Sequence, residues 1–202
     1  MKRVVLASSN AGKLREMSAL LAPLGLELLT QSSLGVHSAA ETGTTFIENA
    51  LIKARHAAQE THFPAISDDS GIEVDALGGR PGVYSARFAG ENASDQDNLH
   101  KLLAELHDVP AEFRQARYHC VIVFVRTAND PEPVIAHGTW EGLITTEPRG
   151  SGGFGYDPVF QPAGLHDTAA QLSPDEKNKI SHRAHALLAL VAELREKGIA
   201  GA

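Results

Sequence analysis

An α/β protein with a mixed sheet is the fold class the sequence predicts, and three observations predict it. Short apolar runs, Val4-Val5-Leu6-Ala7 and Cys120-Val121-Ile122-Val123-Phe124-Val125 among them, read as buried strands. Segments with apolar residues three and four apart read as helices, and Thr45, Ser94 and Ser173 stand where helix caps stand. The two kinds of segment interleave from end to end, which is α/β organisation. With 202 residues, 43% hydrophobic and 21% charged, the chain has the length and composition of one globular domain over residues 1–202.

Val4 to Ala7 is the first strand. Ser8-Ser9-Asn10-Ala11-Gly12-Lys13 is a small polar turn into a helix carried by Leu14, Met17, Leu20 and Leu21, which Pro23 and Gly25 end. Leu26 to Thr30 is a second strand, and a serine-rich loop leads on to Glu41-Thr42-Gly43. Thr45 and Glu48 fit a capping box, and Phe46, Ile47, Ala50, Leu51, Ala54 and Ala57 supply a buried helical face. Asn49, Lys53 and His56 line its polar side. Pro64 to Ser67 enters Asp68-Asp69-Ser70-Gly71, and Ile72 to Asp75 leaves it, so a strand is expected on each side of a turn. Residues 77–82 carry turn chemistry, and Ser94 opens a helix with the stripe Leu99, Leu102, Leu103 and Leu106. The run from Cys120 to Val125 is a strand covered on both faces, and Val134 to Ile144 a further strand or pair. A glycine-rich loop over residues 150–158 precedes the helix start Ser173-Pro174-Asp175-Glu176. The last helix carries Ala184, Leu187, Leu188, Val191 and Leu194.

Composition excludes several classes. Lysine plus arginine is 18 and aspartate plus glutamate 25, a formal charge of −7, which argues against a nucleic-acid partner or a membrane surface while leaving room for a local basic pocket. No apolar run approaches the roughly 18 residues of a spanning helix. The stretch after Met1-Lys2-Arg3 is too short for a signal sequence, so the cytoplasm is the expected location. The single cysteine, Cys120, allows neither an internal disulfide nor a cysteine zinc site. His182 and His185 stand three apart with no other zinc ligand beside them.

Four segments carry chemistry. Ser8 to Lys13, between strand and helix, offers small residues, backbone N–H groups and one positive charge to an anion. It is no Walker A loop, because Ala7 and Leu14 stand where glycine and a hydroxyl residue should be. Asp68 and Asp69 suit Mg²⁺, which takes carboxylate oxygens with waters and substrate phosphates; the alternative is a solvated turn. As strand neighbours they point to opposite faces, one into a site and one supporting it. Ser70 lies in no nucleophile elbow, since Asp68 replaces the first glycine. Phe154 and Tyr156 among glycines form a stacking surface or a hairpin tip. Lys177, Lys179, His182 and Arg183 form a local basic site or a solvated helix face.

These segments stand in one order with Glu41-Thr42-Gly43, Phe46-Ile47-Glu48-Asn49-Ala50, Lys53-Ala54, Pro81-Gly82-Val83-Tyr84-Ser85-Ala86-Arg87, Gly152-Gly153-Phe154-Gly155-Tyr156-Asp157-Pro158 and Ser181-His182-Arg183. In that order the chain resembles the inosine/xanthosine triphosphate pyrophosphatases, house-cleaning enzymes for non-standard purine nucleotides, over nearly all its length. The resemblance implies an elongated two-lobed fold with a nucleotide cleft between the lobes, a homodimer, Mg²⁺, and hydrolysis of ITP, dITP and XTP to the monophosphate and pyrophosphate. It implies Asp69 as general base and metal ligand, and Glu41 as a second metal ligand, with Asp68 and Glu48 nearby. Ser8, Ser9, Asn10, Ala11, Gly12, Lys13, Lys53 and Ser70 would hold the triphosphate. Phe154, Gly155, Tyr156 and Asp157 would hold the base, and Lys177, His182 and Arg183 would read its edge. The family's first loop usually has glycine where Ser9 stands, and a residue with a Cβ rarely accepts positive φ.

Overall fold

The computed structural model describes residues 2–8, 13–14, 17–18 and 21–199. Six strands among them form one sheet: β1 (Lys2–Leu6), β2 (Leu26–Thr30), β3 (Ala65–Val74), β4 (Gln115–Val125), β5 (Val134–Ile144) and β6 (Phe160–Pro162). Their order is β2-β1-β3-β4-β5-β6. β1 runs parallel to both β2 and β3, and β5 antiparallel to β6, so the sheet is mixed. Four α-helices lie wholly among the described residues: α1 (Phe46–Thr61), α2 (Asp95–Glu105), α3 (Pro174–Ile180) and α4 (His182–Glu196). Thr45, Ser94 and Ser173 each close a capping box, with Glu48, Asp97 and Glu176, so these three starts are dictated by local sequence. Lys13, Leu14, Met17, Ser18 and Leu21 are helical, and a short 3₁₀ turn over Ala22–Leu24 ends at Gly25 with φ 72°. Leu20 lies outside the described residues.

The chain divides into two compact units, Met1–Asp69 with Cys120–Gly138 and Arg183–Ala202, and Ser70–His119 with Thr139–His182. In the first, strand alternation sends side chains to two cores. Val4, Leu6, Ile66, Ile122 and Phe124 meet Leu187, Leu190 and Leu194 of α4. Val5, Val121 and Val123 meet Ala50, Ala54 and Ala57 of α1. A helix on each face is why the run from Cys120 to Val125 is apolar throughout. In the second unit, Ile72, Val74, Leu99, Leu102, Tyr118, Trp140 and Phe160 share one core.

Two expectations are corrected. Asp68-Asp69-Ser70-Gly71 is no turn: β3 is continuous from Ala65 to Val74, and both aspartates are buried in it. Turn-type residues are carried inside a strand that pairs with β1 at Ala65 and Ile66 and has β4 as its other neighbour. β4 begins five residues before Cys120, and its first half alternates, burying Ala116 and Tyr118 between polar neighbours. β6, only three residues long, carries no periodicity from which to predict it. Val134 to Ile144, expected as a strand or a pair, is one strand.

Candidate active site

In the first unit, β3 and α1 present a cluster of charges. Asp68 and Asp69 have different partners, as strand alternation requires. The Lys13 ammonium lies 2.9 and 2.7 Å from the two oxygens of Asp68, and Nη2 of Arg183, at the start of α4, lies 3.5 Å from Oδ2. Lys53 of α1 donates to Asp69 at 2.7 Å and to Glu41 at 3.0 Å. One turn before Lys53, the fully buried Asn49 accepts from the Gly43 N–H at 2.8 Å, which fastens the loop bearing Glu41 to the helix. Only glycine fits there, since a Cβ on residue 43 would come within 2.6 Å of Glu48 Cβ. Ser67 donates to the Ala50 carbonyl and ties β3 to α1. Ser8, Lys13, Glu41, Lys53 and Asp68 line a cavity of about 150 Å³. Gln31 and Ser38 line it too, joined by a 2.9 Å hydrogen bond; as ordinary loop polar residues they gave no sequence signal.

The two aspartates are electrostatically unlike. Burial pushes the Asp68 carboxyl up, but the charges of Lys13 and Arg183 outweigh it and hold the group well below the usual carboxylate range. Burial also pushes Asp69 up; Lys53 opposes this, Glu41 and Asp68 add to it, and the net shift is upward. Lys53 is raised as well: burial lowers it, and Asp69, Glu41 and Asp68 more than offset that. Both upward shifts fit an excess of negative charge around Asp69. Glu48 sits apart from this pattern. Its carboxylate accepts from the Thr44 and Thr45 N–H groups at 2.7 and 3.1 Å, which is a cap.

In the second unit the loop over residues 150–158 is held by carboxylates. Asp157 accepts from the Phe154 N–H at 2.9 Å and pairs with Lys177, whose ammonium lies 4.8 Å from the centroid of the Phe154 ring. Asp95, at the start of α2, accepts from the Gly155 N–H at 2.8 Å. Tyr156 is buried and donates to the Ser85 carbonyl at 2.8 Å, while the Phe154 ring is 55% exposed. Gly153, at φ 73°, abuts the Asp157 carboxylate so closely that a Cβ would overlap it. His182 is buried, its ring stacked on Tyr118. Ser85 belongs to the segment from Pro81 to Arg87 that carries the family resemblance; Asp95 reads in the sequence only as a first-turn helix acid.

The predicted residues therefore group by unit. Ser8, Lys13, Glu41, Lys53, Asp68, Asp69 and Arg183 belong to the first; Ser70, Phe154, Gly155, Tyr156, Asp157, Lys177 and His182 to the second. Ser9, Asn10, Ala11 and Gly12 lie outside the described residues. The basic segment near residue 180 sends its side chains to different partners. Ser181 caps α3, and on the new helix His182 and Arg183 point about 100° apart, toward Tyr118 and toward Asp68.

Fold and site define an α/β protein that sets lysines beside buried carboxylates, a pairing suited to a polyanion and a hard cation. The model of the Ham1 family matches residues 4–193, and the chain belongs to that family. It is similar to the dITP/XTP pyrophosphatase of Shigella flexneri, 59% identical over 96% of this chain and 99% of that one. Among solved structures it is similar to a HAM1 protein from Coxiella burnetii, with TM-score 0.92 and 49% identity over 97% of this chain and all of that one. The Staphylococcus aureus Ham1 protein gives TM-score 0.88 and 41% identity over the same shares.

Proposed function

We propose that this protein is a nucleoside triphosphate pyrophosphatase that hydrolyses ITP, dITP and XTP to the monophosphate and pyrophosphate, clearing non-standard purines from the nucleotide pool. The observation that carries the reading is Asp69, a buried carboxylate pushed up in pKa and held by Lys53 beside Glu41. Likeness to a dITP/XTP pyrophosphatase, 59% identical over 96% of this chain, supports it.

Asp69, positioned by the Lys53 ammonium, takes the proton from the attacking water. The water oxygen bonds to phosphorus as the α–β anhydride bond breaks, and pyrophosphate leaves. Lys13, Lys53, Ser8, Ser70 and the loop from Ser9 to Gly12 hold the phosphates. Mg²⁺, when bound, neutralises charge on the phosphate oxygens. Glu41 and Asp69 would hold it. Among the described residues no three His, Cys, Asp or Glu side chains form a metal cage, but Mg²⁺ needs only one or two carboxylates besides phosphate and water. The negative charge of Glu41 and Asp68, which adds to burial in raising Asp69 and offsets burial in raising Lys53, fits such a cation. Phe154 stacks on the base within the loop of Gly155, Tyr156 and Asp157. Lys177 and His182 donate to its edge, favouring the six-position oxygen of hypoxanthine and xanthine over the amino group of adenine, while Arg183 stays with Asp68.

On this reading the protein is a homodimer working in the cytoplasm, with the small nucleotide as its partner. No helix among the described residues is long and apolar enough to cross a membrane. Sedimentation at twice the 21.5 kDa chain mass is expected; a monomer at micromolar concentration rejects the dimer. The decisive assay is Mg²⁺-dependent pyrophosphate release. ITP, dITP and XTP are expected to exceed ATP and GTP in kcat/KM by about a hundredfold or more. Equal treatment of ITP and GTP refutes the function.

A further inference from the structure

The His182 ring lies 4.6 Å from the Tyr118 ring, centroid to centroid, with 8° between their planes. The Trp140 ring lies beside both, 6.3 Å and 23° from His182 and 6.4 Å from Tyr118. Tyr118 is in turn met edge-on by Phe160 at 4.7 Å and 70°, and Phe160 packs on Trp140 at 5.3 Å. All four residues are buried, and none of Tyr118, Trp140 or Phe160 carries a role in the chemistry above. They come from β4, β5 and β6, three neighbouring strands, so the sheet itself builds the group. Gly142 makes room for it. Two residues from Trp140 and paired with Pro162, it would carry a Cβ 2.7 Å from the tip of the Phe160 ring.

We propose that this aromatic seat fixes the plane of the His182 imidazole, and that Tyr118 is thereby a specificity-determining positioning residue of the base site. The proposal rests on the reading that His182 addresses the base edge. Imidazole hydrogen bonds lie in the ring plane, and they weaken steeply with misalignment. A ring turning about χ2 offers every base an adequate donor or acceptor. A ring stacked at 8° offers one direction, and a base whose edge does not match leaves a buried polar group unpaired. The seat also removes the ring's rotational freedom before substrate arrives, which lowers the entropy lost on binding.

The stacked face, rather than the hydroxyl, does this. The Tyr118 hydroxyl lies 3.5 Å from Asp157 Oδ1, at the limit of a hydrogen bond. Tyr118→Phe keeps the face and Tyr118→Leu removes it. The experiment measures kcat and KM for ITP and GTP, with the Mg²⁺ concentration for half activity, in wild type and both variants. Tyr118→Phe is expected to keep the ITP-to-GTP preference within about twofold. Tyr118→Leu is expected to reduce it about tenfold, mainly through KM, with the Mg²⁺ requirement unchanged. A Leu variant with full preference overturns the proposal, as does a Phe variant that loses it. If wild type shows no preference for ITP, it is the function that fails, which is a separate outcome. Should Tyr118→Leu not fold, proton NMR of the wild type decides. The His182 ring protons, assigned with His182→Asn, are expected upfield of those of the other histidines because they lie over the Tyr118 face, and unshifted resonances overturn the seat.

Discussion

Asp68 and Asp69 adjoin in sequence, and neutralising each is expected to act on stability in opposite ways. The Asp68 side chain is 1% exposed, between Lys13 at 2.7 Å and Arg183 at 3.5 Å. Asp68→Asn leaves two cations facing a neutral amide. Removing one partner of a buried pair costs about 3–5 kcal/mol, and because the Lys13 side chain keeps 22% exposure and can rehydrate, about 3 kcal/mol is expected. At about 2–4 °C per kcal/mol for a chain of this length, the melting temperature falls by about 6–12 °C. Asp69→Asn removes a charge that burial disfavours, while Lys53 keeps Glu41, so stability at neutral pH is expected to stay level or rise slightly. The pH dependence follows from the directions of the shifts. The folded pKa of Asp68 is depressed, so its contribution is present above the unfolded value, about 3.9, and is lost as pH falls through the folded one. The folded pKa of Asp69 is raised, so any gain from Asp69→Asn appears only as pH rises through that pKa. Thermal and urea unfolding in EDTA, at pH 7 and near pH 3, measures both. An Asp68→Asn variant as stable as wild type at pH 7, or a deficit undiminished at low pH, refutes the reasoning.

Asp69→Asn, folded as above, is expected to lose roughly a hundredfold or more in turnover with nucleotide affinity largely kept; near-normal kcat removes Asp69 from the base role. Glu41→Gln is expected to raise the Mg²⁺ concentration for half activity, because a hard cation loses an anionic oxygen, and an unchanged titration makes Glu41 a loop residue only. Gly153→Ala combines a left-handed backbone with a Cβ aimed at Asp157, so the Phe154 loop is expected to shift and KM for ITP to rise about tenfold; a wild-type KM would show that the loop tolerates the change.

Elements whose determinants lie within one helical turn were legible in the sequence. Thr45 with Glu48, Ser94 with Asp97 and Ser173 with Glu176 needed only a cap and an acid three residues on. The strands β1, β2 and the apolar half of β4 needed only their own side chains. The family was legible too, because its residues stand in order along the chain. The chemistry of Asp68 and Asp69 was legible as residue type but not as place. Four residues with turn propensity run straight through the middle of β3, which lies between β1 and β4, and Lys13, Lys53 and Arg183, up to 115 positions away, balance the buried charge. Tertiary structure alone parted His182 from Arg183, sending one ring onto Tyr118 and one guanidinium toward Asp68. It alone made Tyr118 part of a seat, by bringing β4, β5 and β6 side by side. A cap closes over three residues and can be read there; a buried charge or a stacked ring depends on partners distant in sequence, and only folding chooses them.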